Sequence, residues 1–125
     1  MSGGFCWLDL AARDAAAARR FYADAFGWSA HEQQAHGGVF TRLRSGEADV
    51  GSLYQLPVRQ LRAGVPSHWT PYVAVADADA AARRVVAAGG AVVVQPFEID
   101  GVARIALVND GVGALLGLWQ GATRP

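Results

Sequence analysis

Lysine is absent from this sequence. All 11 basic residues are Arg, 11 acidic residues balance them, and the formal net charge is zero. No basic cluster stands out beyond two Arg-Arg pairs on predicted helices, so neither nucleic acid nor an anionic membrane is an expected partner. The lack of Lys beside so much Ala reads as coding bias, not mechanism. Cysteine is nearly absent too: Cys6 is the single one, which excludes an intrachain disulfide. Its place in an apolar run predicts a buried structural thiol rather than a nucleophile. No apolar run is long enough to cross a bilayer. The opening MSGGFCW lacks a basic stretch followed by a long apolar one, so no secretory signal is expected and the expected location is cytoplasmic. What is present points to a folded chain. Hydrophobic residues make up 52% of 125 positions, which excludes disorder and suits one domain with a real core.

The chain says nearly the same thing twice. WLDLAARDAAAARRFYADAFGW at 7–28 is echoed by YVAVADADAAARRVVAAGGAVVV at 72–94. In each, an apolar run leads to Asp, an alanine stretch, an Arg pair, large apolar residues and Gly. Asp14 fits a helix N-cap, because a short carboxylate accepts hydrogen bonds from first-turn amides. Ala18, Phe21, Tyr22 and Ala25 fall on one helical face, and Gly27 ends the helix. WSAHEQQ, GVFTRLR and ADVGSLYQ follow as strands, with turns at HGG and SGE. In the second copy TPYVAVA is the strand, Asp77 or Asp79 the cap, and Ala82, Val85, Val86 and Gly89 the packing positions. AVVVQP, VARIALV and VGALLGLW are its later strands, with NDGVG as a turn. The Arg pairs are offset by 64 residues, and Tyr54-Gln55 and Trp119-Gln120 by 65. PVRQLRAGVPSH between them reads as a linker. The prediction is an α+β domain over 1–125 made of two βαβββ modules, about 5–56 and 68–121, joined by a linker at 57–67.

WLDLAARD…ARRFYADAFGW, YVAVADADAAARRVVAAGGAVV and ARIALVNDGVGALLGLW resemble the vicinal oxygen chelate superfamily, which holds glyoxalase I, extradiol dioxygenases, fosfomycin-resistance enzymes and bleomycin-binding proteins. The resemblance covers nearly the whole chain, and FY-x-x-x-FGW is its most specific part. It implies curved mixed sheets around a cavity, often closed across a dimer, so a homodimer is expected. Metal-dependent relatives carry His on the first strand and Glu on the last strand of each module, which hold a divalent metal and leave positions open for substrate oxygens. Counting from the cap and the closing hairpin puts those positions at Trp7, Pro71, Ser52 and Gly117. None offers imidazole or carboxylate, so no metal and no cofactor is expected. His31, His36 and His68 are read as partly exposed histidines.

Alternation along strands then sets the expected cavity wall. If Trp7 points inward, so do Phe5 and Asp9, with Leu8 and Leu10 behind. Ser52 and Tyr54 share that face, as do Trp69, Pro71 and Val73, and Leu115, Gly117 and Trp119. Arg42 and Arg104 take matching inner places, with Leu43 and Ile105 behind. The candidate ligand-binding residues are Trp7, Asp9, Arg42, Ser52, Tyr54, Trp69, Arg104 and Trp119. Aromatic walls suit a flat, partly apolar ligand, and Arg offers a planar fork to an anionic handle. The competing readings are core packing for the tryptophans, a solvated face or pairing with Asp9 for the arginines, and a salt bridge or general base for Asp9. No catalytic residue is assigned. The leading expectation is a metal-free small-molecule-binding protein for an aromatic or conjugated ligand. The alternative is a lyase, isomerase or oxygenase with an atypical or metal-free site, and a third is an interaction module with a vestigial pocket.

Overall fold

The computed structural model describes residues 3–35 and 38–122. The elements are β1 (Phe5–Ala12), α1 (Ala15–Phe26), β2 (Ser29–Ala35), β3 (Gly38–Ser45), β4 (Ala48–Gln55), α2 (Val58–Arg62), β5 (His68–Ala74), α3 (Ala78–Ala87), β6 (Ala91–Ile99), β7 (Ala103–Asn109) and β8 (Leu115–Gly121). The duplicated βαβββ order is present. The expected linker is corrected at one place, since Val58–Arg62 forms a five-residue helix behind Pro57. Arg13 fastens the segment that follows. Its guanidinium donates to the carbonyls of Val65 at 2.7 Å and Leu61 at 3.3 Å, and its amide donates to Ser67 Oγ at 2.9 Å. No helix among the described residues is long and apolar enough to cross a membrane.

Contacts divide the chain into two compact units. The N-terminal unit is Leu8–Trp69, and the C-terminal unit combines residues 3–7 with 70–122. In the N-terminal unit the strand order is β2-β3-β4-β1. β1 runs parallel to β4 and the other pairs are antiparallel. Asp14 caps α1 by accepting from the Ala17 amide at 3.0 Å. Gly27 ends it at φ 74, the left-handed conformation that a side chain disfavours. Ala15, Ala18 and Tyr22 press α1 onto Leu10, Ala12, Leu43 and Leu53. The expected face is corrected at Phe21, which is 58% exposed. The stripe on the sheet is Ala15, Ala18 and Tyr22, spaced three and then four residues apart, and Phe21 falls beside it.

The C-terminal unit repeats the plan with order β5-β8-β7-β6 and a parallel β5–β8 pair. Asp77, not Asp79, caps α3, accepting from the Ala80 amide at 3.0 Å. Ala81, Ala82 and Val85 pack on Ala106, Val108 and Leu118. Val86, expected in this face, is 55% exposed. The repeated strand endings now have a physical reason. Gln55 Oε1 accepts the first-turn amide of α1 at Ala15, 2.9 Å away, and Gln120 Oε1 does the same for α3 at Ala78, 2.8 Å away. Each closing glutamine satisfies an amide that a helix start leaves without a backbone partner.

Candidate functional site

Each helix covers one face of its own sheet, and the opposite faces differ in chemistry. In the N-terminal unit, Asp9, Arg42, Ser52 and Tyr54 alternate with the core residues Leu10, Leu43 and Leu53. Asp9 on β1 is the register partner of Ser52 on β4, which is the partner of Arg42 on β3. The Ser52 hydroxyl donates to Asp9 Oδ1 at 2.6 Å. Burial pushes the Asp9 carboxyl up to about 6, although the Ser52 hydrogen bond and the nearby His68 ring pull it down. Burial and the Asp9 charge in turn raise the Tyr54 phenol. Arg42 donates to Asp49 at 2.8 Å and to Gln33 Oε1 at 3.4 Å, and its guanidinium lies 5.6 Å from the Phe40 ring centre.

In the C-terminal unit the face opposite α3 is aromatic. Trp7 and Trp119 stack with ring centres 4.8 Å apart, and Tyr72 meets Trp119 edge-on at 5.9 Å. Ile105, Ala103 and Leu107 pack around them. Gly117 makes this arrangement fit: a Cβ there would lie 2.2 Å from a Tyr72 ring carbon. Trp7 and Trp119 stay half-exposed, whereas Tyr72 is buried.

Two expected wall residues lie on the other side. Trp69 packs against α1, donating to the Tyr22 hydroxyl at 3.2 Å and meeting Tyr22 and Trp28 edge-on. Arg104 points toward α3 and donates to both carboxylate oxygens of Asp79, at 2.7 and 3.0 Å, with Glu98 at 3.8 Å. This fork holds the Asp79 carboxyl below its usual range. Ile105, expected behind Arg104, is on the aromatic face instead. For Trp69 the cause is a one-residue slip along β5; for Arg104 it is the register of β7, which sets Leu107 opposite Gly117 as Arg42 is set opposite Ser52. The caps Asp14 and Asp77 are 63 residues apart, not 64. Trp7 therefore corresponds to Thr70, not Pro71, and the shift puts Thr70 and Tyr72, the partner of Gly117, on the face expected for Trp69, Pro71 and Val73. Tyr72 was missed for this reason; the cap spacing and the small residue across from it were the available signals. A separate cleft of about 340 Å³ between α3 and β6 is lined by Asp79, Arg83, Val86, Gln95 and Pro96 among others, away from the aromatic face.

Cys6 is exposed, which corrects the buried thiol expected for it. His31 meets Ser29 Oγ at 2.9 Å, His68 Nδ1 meets the Pro66 carbonyl at 2.8 Å, and His36 lies outside the described residues. Counting seven residues back from each cap gives Trp7 and Thr70 as the paired first-strand positions. With Ser52 and Gly117 they bring no imidazole, thiolate or carboxylate, so these residues do not fit the metal centre implied by the resemblance.

The family model for the Glyoxalase/Bleomycin resistance protein/Dioxygenase superfamily matches residues 4–117. The chain belongs to that superfamily. Among curated proteins it is 34% identical over 116 residues to CFP32 of Mycobacterium tuberculosis, provisionally named a glyoxylase, covering 91% of this chain and 44% of that protein. It is 34% identical over 129 residues to the anthracycline biosynthesis protein DnrV of Streptomyces peucetius, covering 94% of this chain and 47% of that one. The chain thus spans less than half the length of these relatives. Among solved structures, methylmalonyl-CoA epimerase from Mycobacterium tuberculosis superposes with a TM-score of 0.70 at 20% identity, over 98% of this chain and 90% of that one. The Streptomyces coelicolor methylmalonyl-CoA epimerase in complex with 2-nitronate-propionyl-CoA gives 0.68 at 21%, over 98% and 100%. These likenesses establish the glyoxalase-like α+β fold.

Proposed function

We propose that this member of the superfamily binds a small aromatic or conjugated molecule, without metal, on the aromatic face of its C-terminal unit. The observation that carries this reading is the Trp7–Trp119 stack with Tyr72 set against it, all held on the sheet face away from α3. Flat rings bury large area there at low entropic cost. The test is a tryptophan fluorescence titration with aromatic drugs, flavin-like compounds and phenolic acids. Removing one ring loses roughly 0.5–1.5 kcal/mol of stacking plus contact area. Trp7→Ala and Trp119→Ala each weaken binding about tenfold, while Trp69→Phe, on the helix side of its unit, leaves it unchanged. A ligand bound equally well by all four proteins refutes the placement.

A second reading, a metal-free lyase or isomerase, draws on Asp9, whose carboxyl is held near 6, close to the pH where a general base works best. We further propose a homodimer. β6 is an end strand, and Val93 (57% exposed) and Phe97 (44% exposed) leave apolar surface on it. Sedimentation at micromolar concentration shows a dimer on this reading, and a monomer alone contradicts it.

A further inference from the structure

The two arginines expected to grip an anionic handle are already engaged by carboxylates of their own units. Arg42 is paired with Asp49 at 2.8 Å, and Arg104 with Asp79 at 2.7 Å. Asp49 also takes Arg44 at 3.2 Å. Asp9 is the reverse case. It is a half-buried carboxylate on the polar face of the N-terminal unit, and among the described residues it has no ion pair within 4 Å. Ser52 holds Oδ1 from one side. Oδ2 accepts no hydrogen bond from the described residues. The groups that face Asp9 are known. Ser52 and Tyr54 come from β4, and Arg42, already paired, lies one strand further across. His68 at the start of β5 acts on Asp9 only through its field, and its Nδ1 is turned to the Pro66 carbonyl.

A half-buried carboxylate without a counter-charge repels an anionic ligand and is relieved by a cationic one. An ammonium group carries N–H donors for Oδ2, and a phenol oxygen and ring beside the carboxylate supply a second acceptor and a cation–π surface. We propose that the Asp9–Ser52 pair, with Tyr54 beside it, is a binding site for the ammonium group of a small organic amine. The site takes a cation, where the sequence alone pointed to an anion. The inference rests on the reading above only in requiring that a small molecule binds this chain. The Asp9 variant and the tryptophan variants test the two sites separately.

The experiment uses three probes with one ring system and three handles: 2-naphthylmethylamine, 2-naphthylmethanol and 2-naphthoate. Each is titrated calorimetrically at pH 7.5 into the parent protein, Asp9→Asn, Trp7→Ala and Trp119→Ala, and into the parent at pH 5. Asn keeps an oxygen for the Ser52 hydroxyl, so the variant retains its local fold, and the pH arm needs no substitution at all. A charge-assisted hydrogen bond sets the scale. The amine binds at least about tenfold more tightly than the alcohol, and the acid binds weakest. Asp9→Asn removes the amine's advantage and leaves the alcohol within about twofold. At pH 5, where Asp9 takes up its proton, the advantage also shrinks. An amine no tighter than the alcohol, or a preference that survives both Asp9→Asn and pH 5, overturns the proposal. Tightest binding by the acid overturns it in favour of an arginine handle. An Asp9-dependent preference unaffected by Trp7→Ala and Trp119→Ala supports this site and refutes the aromatic-face reading. No binding of any probe overturns both.

Discussion

Gly51→Ala destabilises the N-terminal unit by more than about 3 kcal/mol. The expectation rests on backbone, not on a side chain that can swing away. A Cβ at Gly51 would lie 2.1 Å from the Leu8 carbonyl oxygen and 3.1 Å from its carbon. Gly51 and Leu8 immediately precede the parallel register that begins at Asp9 and Ser52. To admit the methyl, β1 must move off β4, and the pairing that carries Leu10 and Leu53 into the core moves with it. Overpacking of this kind costs typically 1–3 kcal/mol where side chains can adjust. Here the obstacle is main chain, so the loss exceeds about 3 kcal/mol, a large part of the stability of an ordinary domain. Gly4→Ala is the control, since nothing lies within 4 Å of its Cβ. Urea denaturation followed by circular dichroism distinguishes the outcomes. A Gly51→Ala protein within about 1 kcal/mol of the parent contradicts the described approach of β1 to β4.

Asp9→Asn stabilises the protein at pH 8 and not at pH 4. The folded state holds the Asp9 carboxyl near 6, mainly by burial, while the unfolded chain releases that proton near 4. Below about pH 4 both states are protonated and the carboxyl costs nothing. Between about 4 and 6 the folded chain binds a proton that the unfolded chain has lost, so stability falls as pH rises through this window. Above 6 the cost is constant, at most about 3 kcal/mol for a two-unit difference. Solvent reaching the half-exposed side chain reduces it to about 1–2 kcal/mol. Asn keeps an acceptor for Ser52 and carries no charge, so it removes this cost. Thermal unfolding at pH 8 rises by roughly 5 °C for the variant, and the gap closes by pH 4. A gap that is absent at pH 8, or the same at both pH values, refutes a half-buried, counter-charge-poor Asp9.

Much of the fold was legible because its signals are local. Asp14, Gly27 and Asp77 mark helix ends through hydrogen bonds within a few residues. The duplicated endings at Gln55 and Gln120 stood out before their role was visible, since that role is a contact about 40 residues back in each unit. What was not legible is non-local. The five residues of α2 carry too few turns for a periodic pattern. The faces of Trp69 and Arg104 depend on strand phase, and a count of 64 in place of 63 between the caps put Pro71 where Thr70 belongs. The partners that engage Arg104 and Arg42, Asp79 and Asp49, lie on a helix and a neighbouring strand that no spacing rule ties to them. Cys6 sits in an apolar run yet remains exposed, because hydrophobic neighbours in sequence do not determine which side of a strand is covered.

Ligand binding on the Trp7–Trp119 face is the proposal with the most direct test. The four tryptophans separate cleanly, with Trp7 and Trp119 in the C-terminal unit and Trp28 and Trp69 packed with Tyr22 in the other. Nitrogen-15 correlation spectra resolve the four indole N–H groups, each assigned by substitution, while an aromatic ligand is titrated in. The account predicts that the Trp7 and Trp119 signals move together to saturation and that those of Trp28 and Trp69 stay in place. Saturable shifts at Trp28 and Trp69 with Trp7 and Trp119 unmoved would contradict it.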